Sequence, residues 1–209
     1  MATADNIKYI LSTLKKNYPN ARISLNFTTS LELFVAVVLS AQCTDKMVNR
    51  VSSVLFRKYQ TMEDYASADI NEFQELIRPL GLYRSKAQNI KKACQLMMEK
   101  FDFRVPRTMQ ELVELPGVAR KSANVILYHA YGIVEGIAVD THVGRVSRRL
   151  GLTSEKNPDK VEKDLCRIIP RDEWCNVNHL FIAHGRAVCK APTPQCMKCV
   201  LSSICPSRL

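Results

Sequence analysis

A chain of 209 residues that is 46% hydrophobic and 24% charged has an ordinary globular composition, enough to bury a full core as one large domain or two small lobes. No run approaches the ~18 consecutive apolar residues of a membrane-spanning helix, and the opening Met-Ala-Thr-Ala-Asp lacks the basic and hydrophobic segments of a secretory signal, so an intracellular protein is expected. The formal net charge of +10 favours a polyanionic partner, but charge speaks to association and cannot name the partner.

Helical signals dominate the chain from its first third onward. Thr29-Ser30-Leu31-Glu32 reads as a capping box ahead of an apolar run ending at Leu39, a buried core helix. Thr44 and Asp45 can start a second helix reaching about Tyr59, and residues 69–77 a short one that stops before Pro79. Gly81 opens a turn, after which Ala87, Ile90, Ala93 and Met97 mark one face of a long basic helix over 83–100. Thr108 and Glu111 suggest a second capping box, and later helices are expected over 120–131, 141–150, 158–168 and 173–187. Sustained alternation is missing, so the expected fold class is all-α. Gly132 to Gly136 is the best candidate for a crossing between two helical lobes.

The stretch from Thr108 to Tyr131 pairs two helices across a tight turn at Gly117. Leu115 and Val118 can pack inward, leaving amides around Gly117 and the next helix N-terminus to face a phosphate. A plain helix–turn–helix corner, with glycine as the C-terminal cap, explains the same pattern. Lys121 lies in the first turn of the second helix, beside Arg120, where neighbouring positive charge disfavours an ammonium. Asp140, after Ile137-Ala138-Val139, is a good N-cap, and capping alone would account for it.

Eight cysteines in an intracellular chain argue against disulfides. Cys43, Cys94, Cys166 and Cys175 are scattered and read as small core residues, whereas Cys189, Cys196, Cys199 and Cys205 crowd together. Four thiols so close, with Pro192 and Pro194 between them, can converge on one metal centre. All-cysteine sites commonly hold zinc, although zinc sites usually pair two Cys-x2-Cys knuckles and only one occurs here.

These motifs together resemble the endonuclease III family of DNA glycosylases and AP lyases, in family order and over nearly the whole chain. Leu115 to Leu127 (Leu-Pro-Gly-Val-Ala-Arg-Lys-Ser-Ala-Asn-Val-Ile-Leu) is similar to its helix–hairpin–helix signature, with Ala119 where a second glycine is usual. Val139 to Val143 (Val-Asp-Thr-His-Val) is similar to its second signature, and the cysteine spacing matches its [4Fe–4S] loop. Leu39 to Asp45 and Leu80 to Ala87 resemble the family's strand-opening segments, with Cys43 where alanine is expected.

The resemblance implies two helical lobes with a cleft between them. One is a six-helix lobe at 23–134 holding the helix–hairpin–helix at 108–131; the other is an iron–sulfur lobe of 1–22 plus 135–209 with its cluster loop at 189–205. Lys121 would be the nucleophile and Asp140 its acidic partner, with Asp45 and His142 as accessory residues. Gly117, Val118, Ala119 and Arg120 would hold the DNA backbone, Gln42 would enter beside the orphaned base, and Leu82 would wedge between base pairs. Lys86, Lys91 and Lys92, and in the cluster region Arg186, Lys190 and Lys198, are further candidates for phosphate contact. The implied activity is excision of oxidised pyrimidines from duplex DNA followed by β-elimination 3′ to the abasic site. A monomer in the cytoplasm or nucleoid is expected. Mismatch-specific glycosylases of the fold are disfavoured because they generally lack the lysine. A silent DNA-binding iron–sulfur protein and a zinc-stabilised module are the alternatives.

Overall fold

A computed structural model describes residues 3–208, so residues 1, 2 and 209 of the expected iron–sulfur lobe lie outside it. Among the described residues the secondary structure is helical throughout, and no helix is long and apolar enough to cross a membrane. The chain divides into two compact units, Ser24–Glu135 and a second that joins the N-terminal stretch up to Ile23 to the chain from Gly136 onward.

Helix α1 (Ala4–Asn17) opens the second unit, and the chain then builds the first with α2 (Ser30–Leu39), α3 (Asp45–Lys58), α4 (Met62–Ser67) and α5 (Ile70–Ile77). Three more helices complete that unit: α6 (Tyr83–Lys100), α7 (Met109–Glu114) and α8 (Arg120–Tyr131). The second unit resumes with α9 (Thr141–Arg149), α10 (Pro158–Ile168) and α11 (Trp174–Ala187), followed by the cysteine-rich tail.

In the first unit α2 is the axis. Every residue from Leu33 to Leu39 is buried, because α3, α6 and α8 pack around it and leave no polar face to present. α4 and α5 lie on α6, where Tyr59, Tyr65 and Phe73 form a tilted aromatic cluster with ring centroids 5.2 to 5.8 Å apart. The second unit is organised by α11 against α1 and α9, with Leu14, Ile137, Val143, Val146, Leu165, Val177 and Phe181 among its buried core.

Side-chain caps define most helix starts. Thr3, Thr29, Thr44, Thr61, Asp69, Thr108, Asp140 and Asn157 each accept a hydrogen bond from an amide in the first turn of the helix they precede. The exceptions among the α-helices are α6, which follows Leu82, α8, which follows Ala119, and α11, which continues from the 3₁₀ turn Arg171–Glu173.

Local detail departs from the sequence reading in several places. At Thr29 the carboxylate of Glu32 reaches past the cap to the Thr28 amide and hydroxyl, and at Thr108 the Glu111 carboxylate accepts from the threonine hydroxyl, so both boxes form only in half. The complete box is at Thr61 and Asp64, ahead of α4, a helix of six residues too short to show a period. Cys94 is a core residue and Cys166 packs against the core, but Cys43, in the bend before α3, and Cys175, the second residue of α11, are only half-buried.

Candidate active site

The hairpin is built by α7 and α8. Leu115 ends α7 and is 1% exposed, and Val118 is 7% exposed, so the two side chains anchor the turn to the core as the sequence suggests. The Val118 amide donates to the Leu115 carbonyl across the turn. Gly117 adopts φ +86°, and a Cβ there would come within 3.1 to 3.3 Å of Asn89 and Val38. Both the backbone and the packing therefore call for glycine at this position. Ala119 occupies the N-cap position of α8 in an extended conformation, with no side-chain oxygen for the amides that follow. The positive end of α8 is thus not neutralised from its cap.

Lys121 is the second residue of α8 and is half-buried. Its Nζ forms no hydrogen bond or ion pair with any described residue. This leaves the amine available for chemistry.

Asp140 belongs to the second unit, at the N-terminus of α9. One carboxylate oxygen accepts the Val143 amide at 2.8 Å, while the other accepts no hydrogen bond among the described residues. One side chain thus combines a structural cap with an available carboxylate oxygen. His142, in the same helix, places Nδ1 3.1 Å from Arg145 Nη2 and packs closely on Gly185, where an added Cβ would lie 3.1 Å from that nitrogen. Asp45 is the first residue of α3, half-buried behind its cap Thr44.

Two further turns of the first unit have unusual backbones. Gln42 (φ 54°) follows α2, and Leu82 (φ 60°) precedes α6; both lie in the left-handed region, and both side chains are exposed. A non-glycine residue held there costs about 1–2 kcal/mol. The glycine of the second turn, Gly81, does not take the left-handed conformation, which falls on Leu82 instead. The turns are neighbours, since a Cβ on Gly81 would lie 3.9 Å from the Gln42 carbonyl oxygen. A 55% exposed leucine in a strained conformation has no packing reason to be there. By contrast, Lys86 and Lys91 are turned inward: Lys86 is 3% exposed and donates to Cys43 Sγ, and Lys91 donates to the Ala68 carbonyl. The expected phosphate contact therefore falls away for both, because their ammonium groups satisfy acceptors of their own unit.

In the second unit Cys189, Cys196, Cys199 and Cys205 line one solvent-open pocket together with Arg149 and His184. The sulfurs surround this space without closing on one point, and no three His, Cys, Asp or Glu side chains among the described residues gather as a single ion requires. Burial raises the pKa of Cys199 and Cys205, and the neighbouring cysteines raise it further. Four thiolates could share the cavity only with positive charge among them, which is the electrostatic condition for a metal centre with sulfur ligands. Arg149 Nη1 lies 3.4 Å from Cys189 Sγ. Burial lowers the His184 pKa to about 4, so its ring is neutral; Nδ1 lies 3.1 Å from the Tyr18 hydroxyl and Nε2 lies 3.6 Å from Cys199 Sγ. Sequence reasoning missed Tyr18, Arg149 and His184, since none is adjacent to the cysteines in a motif.

Residues 35–171 match the HhH-GPD superfamily, base excision DNA repair proteins. The chain is 50% identical to an endonuclease III of Synechocystis over 198 residues, covering 95% of this chain and 90% of that protein. It is 46% identical to the endonuclease III of Bacillus subtilis over 206 residues, covering 98% and 94%. A solved endonuclease III trapped as a covalent intermediate with DNA superposes with a TM-score of 0.94 at 46% identity, covering 99% of this chain and 97% of that one. The chain belongs to the endonuclease III family. A thermostable thymine-DNA glycosylase, 22% identical with a TM-score of 0.87, shares the fold.

The caps make separable predictions for stability. Asp140→Ala should cost about 1 kcal/mol, whereas Asp140→Asn, which keeps an oxygen for the Val143 amide, should stay within a few tenths of the parent. Ala119→Asp should add about 1 kcal/mol by capping α8. Urea unfolding midpoints measure all three.

Proposed function

We propose that this protein is a bifunctional DNA glycosylase and AP lyase that removes oxidised pyrimidines from duplex DNA and then nicks the strand 3′ to the abasic site. The observation that carries this reading is Lys121, a half-buried amine with no hydrogen-bond or ion-pair partner among the described residues, in the first turn of a helix whose cap supplies no acceptor. The neutral amine attacks the sugar C1′, and the glycosidic bond breaks with its electron pair leaving on the base. The attached amine gives up a proton, the C1′–O4′ bond opens with O4′ taking a proton, and the Schiff base so formed acidifies the neighbouring C2′–H; loss of that proton expels the 3′ phosphate, and water then releases Lys121. Asp140 serves as proton acceptor and offsets positive charge on the sugar through its uncommitted oxygen.

Gly117, Val118, Ala119 and Arg120 hold a phosphate at the uncapped start of α8, a contact that positions the duplex without reading sequence. Gln42 and Leu82 act as a pair, filling the space left by an extruded base and separating its neighbours. Their adjacent, exposed, left-handed turns support this assignment. Two α-helices of the first unit start without a side-chain cap, α6 after Leu82 and α8 after Ala119, and these are the starts assigned to DNA.

Cys189, Cys196, Cys199 and Cys205 are assigned to a [4Fe–4S] cluster, since their spacing contains only one of the two Cys-x2-Cys knuckles usual for zinc and all four line one pocket. Bound there, the cluster would serve as a structural clip that closes the 189–205 loop. Arg149 and His184 orient two of its ligands.

A panel of defined duplexes tests the reading. Duplexes carrying thymine glycol or an abasic site should be cut to β-elimination ends, and thymine–guanine and adenine mismatches should not. Lys121→Gln should lower nicking by at least about 10³-fold, and Asp140→Asn should lower excision by about 10²-fold or more despite its parental stability. Wild-type β-elimination by the Lys121→Gln protein would overturn the assignment.

A further inference from the structure

Lys86 and Cys43 form a pair that the proposed repair chemistry does not use. Lys86 is 3% exposed, and its Nζ lies 3.2 Å from Cys43 Sγ, the one partner of that ammonium among the described residues. A buried lysine normally takes a carboxylate or carbonyl oxygen, and a thiol is a poor acceptor for such a donor. Cys43 is only half-buried, so a small oxidant can reach the sulfur while the lysine behind it stays shielded from water. The separation is within the ~3–3.5 Å range of reacting atoms poised for bond formation. Cys94 offers a contrast: it is fully buried, and burial raises its thiol to about 12, so it should remain inert.

We propose that Cys43 and Lys86 are an oxidative modification site, at which hydrogen peroxide drives formation of a reversible sulfur–nitrogen crosslink. Cys43 Sγ attacks one peroxide oxygen; the S–O bond forms, the O–O bond breaks, and the thiol proton leaves with hydroxide as water. Sulfur is oxidised by two electrons and peroxide is reduced. One proton passes from the Lys86 ammonium to solvent and the amine attacks the sulfenic sulfur; the S–N bond forms, the S–O bond breaks, and the departing hydroxide takes an amine proton to become a second water. This condensation follows the sulfenic acid to sulfenamide step known for cysteine. An added thiol reverses it, attacking sulfur to release the amine and then exchanging the mixed disulfide back to Cys43.

The position gives the crosslink a consequence. Cys43 directly follows Gln42, and Lys86 lies in the first turn of α6, its amide bonded to the Leu82 carbonyl. A covalent bond replaces a 3.2 Å contact, so it draws the Gln42 turn toward α6 and fixes it against the Leu82 turn. Displacements of this order at a binding element reduce productive engagement by about tenfold or more. This effect on DNA rests on the assignment of Gln42 and Leu82 to the duplex; the crosslink itself does not.

The test treats the cluster-loaded full-length protein with dilute hydrogen peroxide, followed by non-reducing digestion and mass spectrometry. The expected product is a linked peptide pair joining Cys43 to Lys86, lighter than the sum of its parts by about 2 Da, two hydrogens. It should disappear with dithiothreitol and be missing from Cys43→Ser and Lys86→Met; Lys86→Arg serves if the methionine variant does not fold. Affinity for a duplex with an abasic-site analogue should fall about tenfold on crosslinking and recover with dithiothreitol. Oxidation of Cys43 to sulfinic acid or to a disulfide, with Lys86 unlinked, would overturn the proposal. A crosslink that forms while DNA affinity holds would instead overturn the assignment of the two turns to DNA.

Discussion

Helix α8 begins at Ala119, which has no oxygen to give the amides of the first turn, although eight of the other helices are capped by threonine, aspartate or asparagine. Forgoing such a cap sacrifices about 1 kcal/mol of stability and leaves positive potential at the helix end. Lys121 sits within that potential. The hairpin is held by Leu115, Val118 and the tight fit of Gly117 against Asn89 and Val38, so the uncapped end is rigidly placed. A phosphate docked there would supply the acceptor the protein withholds. Binding of the backbone and placement of the nucleophile thus follow from one local arrangement.

The second unit answers a different physical problem. Crowded thiols resist ionisation, as burial and mutual repulsion at Cys199 and Cys205 show, so the sulfurs can share the pocket as thiolates only when positive charge joins them. Arg149 contributes part of it at Cys189, and also donates to the carbonyls of Cys189, Lys190 and Ala191. The loop is thereby tied to α9, the helix that Asp140 caps, which links the ordering of the cysteine tail to the presentation of the acidic residue.

Much of this was legible in the sequence because the informative features are local. The apolar run before Leu39, the long period of α6 and the turn at Gly117 each depend on residues a few positions apart. Asp140 and the four cysteines were likewise marked by spacing, and the family resemblance ordered them. What stayed hidden depends on tertiary neighbours. Left-handed backbone would ordinarily be assigned to Gly81, yet Leu82 carries it, because the turn is set by its packing beside Gln42. Lys86 reads as a solvated basic residue and is buried, with Cys43 Sγ as its one hydrogen-bond partner among the described residues. Tyr18 and His184 lie far apart in sequence and meet beside Cys199, a contact that no motif announces.

The account stands on covalent chemistry at one amine. Reduction with borohydride during reaction with an abasic duplex fixes any Schiff base as a stable amine, and peptide mapping of the protein–DNA adduct then locates it. The DNA should be found on Lys121 in near-stoichiometric yield. An adduct mapped to another lysine or to the N-terminal amine, or no adduct under conditions where the strand is nicked, would contradict the assignment.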